Sequence, residues 1–197
     1  MDDQFSSSTP VDGRKLYVVP LIFKGSGAND EYAQKHDLYW QQAKQHISNL
    51  EAKFGSINRI YHEFISVSGN EGLKVIERLS GSHIIVKDIA QRGAILESIE
   101  DKDLLDECMD WERCILMGLV SQKVAQVVVR SFADASRLRC EHIANRIDAT
   151  LHSVESGILF IREGHSIQFP SSIQVFSVAP PALDQIHRFL RERESRE

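Results

Sequence analysis

A chain of 197 residues, 42% apolar and 26% charged, has the size and composition of one globular domain. Its formal net charge of -5 and pI near 5.9 argue against nucleic-acid binding by the whole surface, though not by a local basic patch. No apolar run approaches the roughly 20 residues needed to span a bilayer, and the opening MDDQFSSSTP is polar and acidic, so a cytoplasmic protein with no membrane partner is expected.

Residues 1–13 carry Ser6-Ser7-Ser8-Thr9-Pro10 and no periodicity, and read as a flexible tail before one domain over 14–197. LYVVPLIF (Leu16–Phe23) is a continuous apolar run that predicts a buried strand, with Pro20 pointing to an edge or a bulge. Gly25-Ser26-Gly27 then breaks the chain, and Asn29 or Asp30 can cap a helix. Tyr32, Tyr39, Ala43, Ile47, Leu50 and Phe54 form one stripe of that helix, which stops at Gly55. A second strand is expected at Ile57–Val67, a short helix at Glu71–Leu79 and a third strand at Ser82–Asp88 (SHIIVKD). Strands alternating with helices predict a mixed or mostly parallel sheet of about five strands.

Lys102–Val154 contains one glycine, Gly118, and no proline, with apolar residues at spacings of three and four. It reads as a long helical arm or helical pair broken near Gly118, with Leu104, Cys108, Trp111 and Ile115 on one face and Val124, Val128, Phe132 and Ala135 on another. Strands at Gly157–Arg162 (GILFIR) and Ile173–Val178 (IQVFSV) follow, then an amphipathic helix at Ala182–Glu194. Residues 14–95 and 156–193 are expected to share one sheet; the alternative is two small lobes, 14–95 and 156–197, joined by the helices. Apolar stripes longer than the sheet can cover predict a homodimer formed through Trp111, Ile115, Val124, Val128 and Phe132.

No motif names a reaction. The Gly25-x-Gly27 turn between strand and helix is a candidate phosphate or ligand site, as are Asn70 and Glu71 at the next helix start, because open α/β sheets bind ligands at strand carboxyl ends. The third glycine of a dinucleotide fingerprint and the Lys-Ser/Thr of a P-loop are missing, so a plain turn is the competing reading and no cofactor is expected. The acidic run Glu97–Glu112 clusters Asp103, Asp106, Glu107 and Asp110, but lacks the Glu-x-x-His of di-metal bundles; it reads as a solvated face, with no metal and no catalytic residue assigned. His62, His142 and His165 each sit near a carboxylate (Glu63, Glu141 and Glu163), without any nucleophile motif. Cys108, Cys114 and Cys140 are odd in number, include no CxxC pair and read as free thiols. Arg130, Arg137 and Arg139 are candidates for a phosphate-binding patch.

RIDATLHSVESGILFIREGH (Arg146–His165) resembles the helix-then-strand of the last domain of archaeal and eukaryotic peptide-chain release factors and their bacterial relatives. Leu151, Glu155, Gly157 and the strand Ile158-Leu159-Phe160-Ile161 carry it, and IQVFSVAPPALDQIHRFLRE (Ile173–Glu192) suits that domain's closing strand and helix. The family's Gly-Gly-Gln hydrolysis motif has no counterpart here, so the resemblance does not imply peptidyl-tRNA hydrolysis. Gly69-Asn70-Glu71-Gly72 is also similar to the helix opening of kink-turn RNA-binding ribosomal proteins, minus one residue. Both resemblances imply an α-β-α sandwich in a translation setting. The leading expectation is a non-enzymatic interaction module, RNA- or ribosome-associated or self-associating. The alternative is an enzyme with a small-molecule site at the strand carboxyl ends.

Overall fold

A computed structural model describes residues 13–25, 29–79 and 81–195. The tail expected at 1–13 lies outside these, apart from Gly13, and so does Gly27. In chain order the elements are β1 (Arg14–Pro20), α1 (Asp30–Phe54), β2 (Arg59–His62), α2 (Gly69–Ile76), α3 (His83–Gln91), β3 (Ile95–Glu97), α4 (Lys102–Leu116), α5 (Gln122–Thr150), β4 (Ser156–Ile161), β5 (Ile173–Ser177) and α6 (Pro181–Glu194).

The five strands form one sheet in the order β3-β2-β4-β1-β5, and every pairing is parallel. β4, which follows the long helices, is hydrogen-bonded between β1 and β2, which precede them. Side-chain alternation assigns the faces. Tyr17, Val19, Ile60, Leu96, Ile158 and Phe160 pack in one cluster with α1, α2, α3 and α6. Leu16, Tyr61, Leu159 and Ile161 pack in a second cluster with Ile143, Ala144 and Ile147 of α5. Crossovers from β1 to β2 and β2 to β3 thus use one face, and those returning from β3 to β4 and β4 to β5 use the other, as a single crossover hand requires.

Local chemistry sets the element ends. Asn29 Oδ1 accepts from the Tyr32 amide at the start of α1, and Gly55, at φ 94, ends it. Asp101 caps α4 through the amides of Asp103 and Leu104, and Ser121 caps α5 through that of Val124. The helical segment is therefore a pair, α4 and α5, joined at Met117–Ser121. Leu105 and Cys108 of α4 and Val128 and Ala135 of α5 are buried, yet belong to neither sheet cluster; they lie where the two helices pack on each other. No helix among the described residues is long and apolar enough to cross a membrane.

Two expectations are corrected. Ser82–Asp88 is not a strand: His83–Gln91 is α3, burying Ile85, Val86 and Ile89 on one side. The third strand is the three-residue β3 further on. β1 is interior, and Pro20 is its last residue; β5 stops pairing at Val18, so the missing proline N–H leaves no gap in that ladder.

Candidate functional site

β2 and β4 lie side by side but send their following segments to opposite faces of the sheet. Such a switch opens a crevice at the strand carboxyl ends. Each strand is followed immediately by a charged residue, Glu63 after β2 and Arg162 after β4. Glu63 is almost wholly buried, with a side chain 2% exposed. One of its oxygens accepts from Arg139 Nη2 of α5 and from Arg162 Nε, each at 3.0 Å; the other accepts from the Arg162 amide at 2.7 Å. Arg139 also donates Nε to Glu100 Oε2 at 2.8 Å and Nη2 to Glu100 Oε1. Glu100, fully buried in the β3–α4 connection, accepts in addition from the Phe64 amide. Burial opposes the Arg139 cation, but the bonds to Glu100 and the attraction of both carboxylates hold its pKa above the ordinary arginine value.

Phe64 caps this network. Its φ of 70 is uncommon for a residue with a side chain, and its ring lies 5.9 Å from the Arg139 guanidinium carbon and 5.4 Å from that of Arg162. Backbone held in this region tends to occur at functional sites.

Above the network is an open cleft of about 840 Å³ between α5 and the segment that follows β4. Arg162, 40% exposed, reaches into it and bonds Glu112 of α4 through Nη1 at 3.3 Å, leaving Nη2 without a protein acceptor among the described residues. Arg137 and Glu141 pair at one rim. His165 lines another part; its buried Nδ1 has no partner, and burial lowers its pKa against the pull of Glu63. Apolar surface from Phe132, Ile143 and Ile161 completes the walls. The arrangement can hold a small molecule with both polar and apolar parts. Among the described residues it contains no side-chain nucleophile hydrogen-bonded to a base.

The residues singled out from the sequence scatter. Arg130 and Arg137 are exposed on α5, whereas Arg139 turns inward, its side chain only 11% exposed between two glutamates. The three do not present one surface. Gly25 is exposed on the β1–α1 connection. Asn70 borders a second, smaller hollow of about 450 Å³ between α2 and α3, while Glu71 is exposed and outside its lining. His62 is buried: its Nδ1 donates to the Glu63 carbonyl at 2.6 Å, and its Nε2 accepts from the Ser82 hydroxyl at 2.9 Å. Glu163 pairs with His187 of α6, not with His165. Of the acidic run, Asp103, Asp106, Glu107 and Asp110 are exposed, but Glu100 and Glu112 belong to the network and cleft. Val128, expected at an intermolecular contact, is buried within the chain, and Trp111 and Phe132 are half-buried.

The residues behind the release-factor resemblance have local jobs. Glu155 bonds Arg59 through both oxygens and caps the His152 amide. A Cβ on Gly157 would lie 2.9 Å from the Tyr61 ring and 3.2 Å from Leu151. No protein-family model, curated protein or solved structure matches this chain.

Proposed function

We propose that the protein binds a small polar molecule in the cleft at the carboxyl ends of β2 and β4, as a ligand-binding protein or an enzyme acting there. The observation that carries this reading is the convergence of Glu63, Glu100, Arg139, Arg162 and Glu112, from five separate segments, beneath and along one cleft. Glu63 and Arg139 are buried and held by ion pairs, so they position; Arg162 and Glu112, 40% and 41% exposed, are the groups most open to a ligand. Their adjacent donor and acceptor suit a molecule presenting the complementary pair, such as an amino acid, a hydroxy acid or a nucleoside.

Thermal unfolding of the full chain with a panel of those three classes tests it. A ligand at 100 times its Kd adds about 2.7 kcal/mol, or roughly 5–10 °C for a chain of this size. At least one class is expected to give such a shift in the native protein and not in Arg162→Met. No shift with any class, or equal shifts in the variant, counts against the cleft.

The interaction-module reading retains one specific support, an exposed apolar end on the α4–α5 pair. Its RNA- or ribosome-associated form now rests on Arg130 and Arg137 without Arg139. Binding of transfer RNA or ribosomal RNA fragments that falls steeply with salt and is lost in Arg130→Gln/Arg137→Gln would support it; no binding at low salt would remove it.

A further inference from the structure

The amino-terminal half of α5 projects away from the sheet. Its sheet-packed residues begin near Cys140, and the stretch from Gln122 to Arg139, the level of the buried network, extends about 26 Å at 1.5 Å per residue. One side of that stretch packs on α4 through Val128 and Ala135. Next to this side, Val124, Val127 and Leu138 fall along one line, since the 11 residues from Val127 to Leu138 make about three turns. Val120, just ahead of the helix, is fully exposed, and Val124, Val127 and Leu138 are 48%, 56% and 43% exposed.

A charged line runs beside this apolar one. Lys123, Arg130, Asp134 and Glu141, at spacings of seven, four and seven, share one side of α5, and all four are exposed. Its outer half is basic and its inner half acidic. Among the described residues, Lys123, Arg130 and Asp134 have no ion-pair partner, and Glu141 has only the exposed Arg137.

We propose that a second copy of this chain docks antiparallel along this side of α5, with the two-fold axis at the level of Phe132 but on the opposite side of the helix from its ring. In that register Lys123 of each copy faces Glu141 of the other, and Arg130 faces Asp134, giving four complementary pairs around a shared apolar seam. A parallel pairing carries the two charged lines to opposite flanks of the seam, where they make none of these pairs. A second copy is the partner that this charge order fits, because the segment carries both halves of its own complement. The proposal is independent of the cleft reading.

Sedimentation equilibrium of the full chain at low and high salt tests it. The chain is expected to dimerise with Kd on the order of 10 µM or tighter at low salt. Val127→Glu should give a monomer with unchanged circular dichroism. Lys123→Glu/Arg130→Glu should weaken the dimer at least about tenfold, and adding Asp134→Lys/Glu141→Lys should restore it. A monomer throughout overturns the proposal, as does a dimer insensitive to Val127→Glu or one not rescued by the full reversal. A monomer that instead pellets with phosphatidylserine vesicles assigns the face to an anionic lipid surface and also overturns it.

Discussion

At the residue scale, the Glu63–Arg139–Glu100 group is the most deeply buried set of ion pairs among the described residues. A buried ion group adds little net stability over apolar packing, but removing one partner strands the others. Arg139→Met leaves two buried carboxylates facing each other and should cost about 3–5 kcal/mol in urea unfolding. Adding Glu100→Gln should recover part of that loss. A cost under about 1 kcal/mol for Arg139→Met would mean that water or rearrangement serves these carboxylates. His62 gives a second residue-scale test. Burial lowers its pKa to about 4 from the ordinary 6.5, although the Glu63 carbonyl opposes the shift. Above pH 6.5 the ring is neutral in folded and unfolded chains alike. Between 6.5 and 4 only the unfolded chain takes up the proton, so stability falls as pH drops, by about 3 kcal/mol over the window. His165, also lowered, adds in the same direction. Unfolding free energies between pH 6.5 and 5 should show this slope, and His62→Leu should flatten most of it; an equal slope in that variant would place the titration elsewhere.

At the element scale, legibility followed the length and contrast of the apolar pattern. β1, α1, β4 and β5 were readable because their runs or stripes are long and their punctuation is clear. His83–Gln91 was not: Ile84-Ile85-Val86 is a short apolar run, which periodicity alone cannot divide between strand and helix. β3 has only three residues, and one of them, Ile95, is half exposed, so it left no pattern to detect. The long helical segment was legible as helix with its break near Gly118. Which of its residues face inward was not, because α5 packs on α4 in one half and on the sheet in the other, shifting the buried side along its length. Val128→Glu probes that division. It should cost at least about 3 kcal/mol by burying an unpaired charge. Hydrogen exchange should then show protection lost across the α4–α5 contact while the sheet amides keep theirs. Uniform loss throughout would mean that the helical pair and the sheet unfold as one unit.

At the scale of the whole molecule, the sheet order makes the cleft. Placing β4 between β1 and β2 brings residues almost 100 positions apart, Glu63 and Arg162, into direct contact. Strand carboxyl ends are legible in the sequence as ligand candidates, but there the glycine-bearing turns stand out more than the charged residues directly after β2 and β4. A charge immediately following a buried strand was the available signal. Its significance depended on strand order, which no single sequence displays. The acidic run misled for a related reason: Glu100 and Glu112 belong to it by composition, yet they face Arg139 and Arg162. The most direct measurement of the central claim is amide chemical-shift mapping of the isotope-labelled full chain, titrated with the three ligand classes named above. The account predicts that at least one class perturbs Glu112, Arg162 and His165 together, saturably, and that Arg162→Met abolishes the effect. Perturbations confined to other surfaces, or cleft perturbations unchanged in that variant, would contradict it.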